Sequence, residues 1–496
     1  MSNYFFDMIP AEELAQLEYI PTLSRFVDWI GRKWADRPAL SDGEHTYTYA
    51  QTCGRIARRR AFLNGLGLAQ GAKVAIFDRN SIDAIELFMA ATSAGYVAIL
   101  LPASLPAPAV AGCCARFDVE ALFVRDEFKE MTASVPCRVF PAASMAEEEA
   151  PVADVDKESP AAIFFTGGTT GAPKGVVLAH RALMRGAFNG CFQPGSVLCG
   201  HVYIGLLPLS HVFGLIRGTL SVFYTGALMY PAEDMKASIG KLPVIRPTCL
   251  VLVPGLCEVL LGLCKMYGPQ FLGGRLTTII SRAANVPPRL MTEFEKMNIS
   301  LLAGYGMTET ANLSSGNADV KTRPTSVGRL YPGQEARIVD GELWLRGDNL
   351  FTEYYKDPVN TRAALTEDGW IKTGDLARFD EDGFLYIVGR IKNVIILSNG
   401  ENVSPEEIEE AFYKCNAMRD CLVKEDEMNG EKVIAIEILP NMPAFEGKDW
   451  SEVEAFFRKL VDDVNATLPT THRVSKLTVR KEDFKRTGAL KIDRNQ

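Results

Sequence analysis

The chain has 496 residues, 47% hydrophobic and 23% charged, which suits roughly two to four domains with a core that needs no disulfide or metal. A formal net charge of −8 argues against a nucleic-acid-binding surface covering the whole molecule. Eleven cysteines are scattered without a C-x-x-C pair, which disfavours a zinc knuckle or a thioredoxin-like motif and fits reduced, mostly buried thiols in a cytoplasmic enzyme.

The opening MSNYFFDMIPAEELAQ lacks a basic region followed by an apolar one, so no signal peptide is expected there. Downstream, Lys73–Phe77 reads as a strand, Ile82–Ala94 as a helix and Val97–Leu101 as a second strand. The rhythm recurs at Ala121–Val124 and Ala161–Phe165, which implies parallel sheets with covering helices. The most apolar window, Cys249–Cys264, is broken by Pro254 and Gly255, carries Glu258 and falls short of the ~20 residues a bilayer requires. A buried strand over Cys249–Pro254 running into a helix over Val259–Tyr267 is expected instead, with another strand at Thr277–Ser281.

After about residue 325 the pattern changes. Ile338–Arg346 and Arg378–Val388 each set an Asp-Gly pair between alternating apolar residues, a hairpin signal. From Ser404 the order becomes helix, strand (Lys432–Ile438) and helix (Trp450–Val464), with Ser404, Pro405 and Glu407 spaced as N-cap, first-turn proline and capping box. The expected fold class is α/β. Residues 1–388 form a large N-terminal domain of two doubly wound sheets plus a small β-barrel-like subdomain, 389–393 a hinge, and 394–496 a small mobile α+β domain.

Phe164–Val176, FFTGGTTGAPKGV, carries the densest chemical signal. Gly167, Gly168, Gly171 and Gly175 free the backbone to bring N–H groups to an anion, Thr166, Thr169 and Thr170 add hydroxyls, and Lys174 adds a cation. Because Gly175 follows Lys174, the segment is not a G-x-x-x-x-G-K-[ST] loop, and a P-loop NTPase is disfavoured.

This loop and five later motifs, LPLSHVFGL (Leu207–Leu215), AGYGMTET (Ala303–Thr310), TGDL (Thr373–Leu376), GRIKNVIILSNGENVSPEEIE (Gly389–Glu409) and RTGALKIDR (Arg486–Arg494), occur in the order found in the adenylate-forming superfamily. The chain resembles that superfamily over essentially its whole length. Its members include acyl-CoA synthetases, aryl-CoA ligases, nonribosomal adenylation domains and luciferases.

Such chemistry makes sense of the residues themselves. A carboxylate is a poor electrophile until its oxygen is joined to the α-phosphate of ATP, which requires charge neutralisation and an oriented nucleotide. Lys174 and the Thr/Gly loop suit the β- and γ-phosphates, and Thr308 can donate to the α-phosphate. Glu309, with Thr170, offers hard oxygen ligands for Mg²⁺. Tyr305, between Gly304 and Gly306, offers a ring for adenine; Asp375 can accept both ribose hydroxyls, and Arg390 can bond ribose or phosphate.

The resemblance implies further roles. Lys491 would bridge the substrate carboxylate and α-phosphate, although Leu490 stands where a glycine commonly precedes that lysine. Lys392 matches the hinge about which the C-terminal domain rotates between adenylation and thioester formation. Gly400 would leave room for a pantetheine arm, and His211 would sit at the tunnel mouth, either as a catalytic-site residue or as a helix cap. Candidate acyl-pocket residues are Phe213, Gly214, Arg217, Ala283, Ala284, Asn285 and Gly304, of which the last three, with Gly306, are also assigned to the nucleotide.

The resemblance implies that an adenylation domain for an α-amino acid would place an aspartate in the region of LPLSHVFGL to bind the amine; none is present there, which disfavours an amino acid. A buried Arg217 would need an anion: a second carboxylate or polar tail of the substrate, or a protein carboxylate. The resulting expectation is ATP-, Mg²⁺- and coenzyme A-dependent conversion of a small carboxylic acid to a thioester. A carrier-protein phosphopantetheine is the alternative acceptor, and a nucleotide-binding protein without turnover the alternative class.

Overall fold

A computed structural model describes residues 4–166, 174–192, 200–282, 286–397, 402–413, 415–428, 431–486 and 492–494. The expected site residues Gly167, Gly168, Thr169, Thr170, Ala283, Ala284, Asn285, Gly400 and Lys491 lie outside these described residues.

The largest sheet has seven strands in the order Glu353–Tyr354, Lys174–Ala179, Pro160–Thr166, Val97–Leu101, Lys73–Phe77, Val119–Val124, Arg138–Pro141. The last five are parallel, as expected of buried Val/Ile/Leu runs covered by helices such as Ile82–Ser93, which is itself buried nearly all round. A second sheet places Cys249–Leu252, Thr278–Ser281 and Ser300–Tyr305 in parallel, then adds Ser315–Asn317 and Arg329–Leu330 antiparallel. A third, mixed sheet of four strands joins Pro38–Ser41 to Leu228–Pro231 and Val202–Gly205. The largest apolar cluster draws residues from Phe5 to Leu385, and a separate one draws from Ile395 to Val474.

Both Asp-Gly pairs turn hairpins of an antiparallel sheet, ordered Gln334–Val339, Glu342–Gly347, Ile371–Phe379, Leu385–Arg390. Asp340 (φ 50°) and Gly341 (φ 83°) are both left-handed, as the tight turn between the first two strands demands. C-terminal to these, Met418–Met428, Glu431–Pro440 and Lys476–Val479 form a three-stranded sheet packed with helices Pro405–Phe412 and Trp450–Asn465.

Two local expectations are corrected. The helix expected at Val259 starts five residues earlier, at Pro254, where a proline loses no helical hydrogen bond; the strand before it ends at Leu252. Ser404 does occupy an N-cap position with Pro405 following, but its side chain makes no cap. Its hydroxyl donates to the Val388 carbonyl (2.7 Å) and bonds Glu406 (3.2 Å), so the hydroxyl ties the helix to the preceding hairpin instead of closing a capping box with Glu407.

Candidate active site

Strand ends gather the polar residues. Asp375 and Arg390 lie 15 positions apart but face each other across the Ile371–Phe379/Leu385–Arg390 hairpin. From Phe379↔Leu385 to Ala377↔Ile387 the register is regular; it then shifts, so that Leu376 opposes Gly389 and Asp375 opposes Arg390. Had the register continued unshifted, Asp375 would face Gly389. The bulge therefore aims the arginine at the carboxylate, a use bulges often have beside active sites. Arg390 Nε lies 2.7 Å from Asp375 Oδ1, and this carboxylate holds the guanidinium above its ordinary pKa.

Tyr305 ends the strand Ser300–Tyr305, and its hydroxyl donates to Asp375 Oδ2 at 2.5 Å. Burial, with the adjacent Asp375 charge, pushes the phenol well above its usual range, so it stays a donor. Asp375 is 1% exposed, and its backbone N–H is held by Thr373 Oγ1 at 3.1 Å. Both carboxylate oxygens thus have protein partners.

A second group stands on the short turn Thr308–Thr310 that follows. Gly306 lets this turn form, because a Cβ there would sit 2.3 Å from the Asn312 carbonyl carbon. Thr308 is half-buried at its start. Glu309 is buried, accepts the Tyr354 hydroxyl on Oε1 (2.7 Å), and is pushed up in pKa by desolvation. Lys174, opposite Thr166 in the hairpin that flanks the Gly/Thr-rich segment, sits 4.8 Å over the Tyr354 ring and donates to Asn360 Oδ1 at 3.0 Å. Lys174, Tyr354 and Glu309 therefore form one connected set, with both Lys174 and Arg390 favouring the Glu309 carboxylate.

The remaining expected residues fall elsewhere. His211 caps the four-residue helix Val212–Leu215, with Nδ1 accepting the Phe213 N–H at 3.2 Å. Phe213 is fully buried, and Gly214 packs against the Pro208 carbonyl, where a Cβ would lie 2.2 Å away. Arg217 follows in a π-helical turn, Ile216–Leu220; it is 3% exposed and hydrogen-bonded with the Tyr203 side chain. Lys392 is exposed in the turn Ile391–Asn393.

Sequence reasoning missed Tyr354, Asn360, Arg282 and Tyr331. Asn360 had a local signal, since Asp357 before Pro358 marks a helix start and Asp357 does cap Asn360 N–H at 3.1 Å. Arg282 had one too: a cation directly after the buried strand Thr278–Ser281. Tyr331 and Tyr354 had none, because their roles arise from contacts with Arg282 and Glu309, 49 and 45 residues away.

Comparison with known proteins identifies relatives of this chain. Long chain acyl-CoA synthetase 6, peroxisomal, of Arabidopsis thaliana is 31% identical over 352 residues; the match spans 59% of this chain and about half (49%) of that longer protein. Indoleacetate–CoA ligase of Aromatoleum aromaticum is 29% identical over 450 residues, 83% of this chain and 87% of that one. In fold, the chain matches the anthranilate CoA ligase AuaEII, solved in complex with anthranoyl-AMP, with a TM-score of 0.83 over 96% of each chain at 19% identity. It thus has the large N-terminal and small C-terminal domains of adenylate-forming enzymes. Residues 27–355 match the AMP-binding enzyme family, and the chain belongs to that family.

Proposed function

We propose that the protein is an acid–thiol ligase. It joins a small carboxylic acid to the α-phosphate of ATP with release of pyrophosphate, then passes the acyl group to the thiol of coenzyme A. The observation that carries this reading is the convergence of two connected sets, Tyr305–Asp375–Arg390 and Lys174–Tyr354–Glu309, in a chain of the AMP-binding enzyme family.

Asp375 orients the ribose by accepting its hydroxyls, with Arg390 and Tyr305 fixing the carboxylate and the Tyr305 ring facing adenine. Lys174, at the end of the Thr/Gly loop, holds the β- and γ-phosphates, and Thr308 donates to the α-phosphate. The donor set at Glu309 fits Mg²⁺: a buried carboxylate on which desolvation disfavours charge gains from a nearby cation, and one carboxylate plus phosphate oxygens suffices. Glu309 and Thr170 would hold that ion, which when bound neutralises phosphate charge. Lys491 stabilises the charge developing between carboxylate and α-phosphate, carried in by a C-terminal domain (394–496) that turns on 389–393 around Lys392. His211 and Gly400 border the path of the thiol. The ten described free cysteines fit a reducing compartment such as the cytoplasm.

ATP–pyrophosphate exchange over aliphatic, aryl and dicarboxylic acids, followed by addition of coenzyme A, tests the reading. Exchange is expected with at least one acid and thioester only after coenzyme A is added. Lys491→Ala should lower adenylation about 100- to 1,000-fold while keeping some thioester formation from supplied acyl-AMP. Absence of exchange with every acid would overturn the ligase, and undiminished adenylation by Lys491→Ala would overturn that lysine's role.

A further inference from the structure

A narrow cavity of about 20 Å³ lies behind the strand Ser300–Tyr305, between Leu302, Ala303, Gly316 and Tyr331. Two arginines from different elements enter it, Arg217 from the π-helical turn and Arg282 from the end of Thr278–Ser281. Arg282 is 3% exposed. Its Nη2 donates to the Tyr331 hydroxyl at 2.6 Å, while Nε and Nη1 are buried with no hydrogen-bond partner. Among the described residues no carboxylate acts on it: the titratable groups that do are Tyr331, through its hydroxyl, and Arg217, of like charge. Gly304 allows this placement: a Cβ there would lie 2.4 Å from the guanidinium carbon, so Arg282 rests on the backbone one residue before Tyr305.

A guanidinium cannot shed its proton to escape burial, and leaving donors of a buried cation unmade is costly. Two unpartnered donor nitrogens beside a second arginine, in a cavity next to the nucleotide-side tyrosine, form an incomplete anion site. We propose that this cavity is the distal end of the acyl pocket and that the substrate is a short acid bearing a second oxyanion, carboxylate or sulfonate, received by Arg282 Nε and Nη1. The inference rests on the ligase reading above. It concerns only the end of the acid remote from the reacting carboxylate. The small cavity and the rings of Phe5, Phe192 and Tyr331 around it leave no room for a long acyl tail while Arg282 occupies this position.

The test compares acids of matched chain length, each as the monocarboxylate, the α,ω-dicarboxylate and the ω-sulfonate, in ATP–pyrophosphate exchange. Wild type should favour one of the doubly charged series over its monocarboxylate by about 10- to 100-fold in kcat/KM, the size of a hydrogen-bonded charge contact. The favoured series identifies the oxyanion. In Arg282→Leu the ratio should fall to about one, and Arg282→Lys should restore part of it. Equal use of the three series by wild type, or an unchanged ratio in Arg282→Leu, overturns the proposal while leaving the ligase standing. Calorimetric binding of succinate against butyrate to the unmodified protein reads the same site without turnover. Tighter succinate binding supports the site even if no acid supports exchange, and equal binding overturns it.

Discussion

Arg59 and Arg282 are both sealed from solvent, at 0% and 3% exposure, and their surroundings are opposites. Arg59, on helix Tyr49–Gly65, bonds Glu86 Oε2 through Nε (2.9 Å), the Ala142 carbonyl through Nη1 (2.6 Å) and Asp83 through Nη2. Arg55, one turn earlier, closes the other side of the Glu86 carboxylate at 2.6 Å. Every guanidinium nitrogen of Arg59 is used, and the charge is neutralised within two packed helices. Arg282 has one hydroxyl and a neighbouring cation. Burial alone therefore does not mark a functional arginine; completeness of its partners does, since a structural cation is finished by the fold and a ligand-binding one is not.

The most damaging way to probe that contrast is at the finished site. Glu86→Ala would leave Arg55 and Arg59 with Asp83 as their remaining carboxylate partner, and an uncompensated buried charge costs about 3–5 kcal/mol. A urea series should show that loss. A change under about 1 kcal/mol would mean the network is not what neutralises Arg59.

His180 shows a third way of burying a base. It is 0% exposed, and its Nδ1 accepts the Leu23 N–H at 3.2 Å, joining two helices. Desolvation lowers its pKa from 6.5 to about 4, so the folded protein holds it neutral. The unfolded chain takes up the proton first: as pH falls from 6.5 towards 4 stability is lost, and below 4 the loss levels off because both states are protonated. At about 1.4 kcal/mol per pKa unit the full effect is roughly 3 kcal/mol. Stability of wild type minus that of His180→Gln, followed from pH 7.5 to 3.5, should trace this window. A flat difference would show that His180 does not resist protonation.

Periodicity revealed the parallel strands and both hairpins, because each is a local pattern. Three of the six motifs supply residues that meet, Tyr305, Asp375 and Arg390. Counting back from the Asp382–Gly383 turn, however, puts Asp375 opposite Gly389; the bulge that restores Arg390 is a long-range fit, coupled to Ser404 bonding the Val388 carbonyl. The same bond displaced the expected capping box. The acyl end was least legible. Arg282 was not singled out, because what distinguishes it is the partners it lacks, which no spacing encodes.

That incompleteness predicts the smallest stability effect and the sharpest contrast. Arg282→Leu removes a cation whose desolvation is only partly repaid, along with one hydrogen bond to Tyr331 and the contact of its guanidinium with the ring at 5.5 Å. The hydrogen bond is worth about 1.5–3 kcal/mol and an unpartnered buried polar group costs a similar amount, so the terms nearly cancel. Leucine adds apolar contact with Leu302 and Ile280, which favours the variant. The expected result is stability within about 1 kcal/mol of wild type, or above it, as when under-satisfied buried charges are replaced by apolar side chains. Set against a loss of several kcal/mol in Glu86→Ala, this would separate an arginine kept for the fold from one kept for a ligand. An Arg282→Leu protein as unstable as Glu86→Ala would place both arginines in the same structural role.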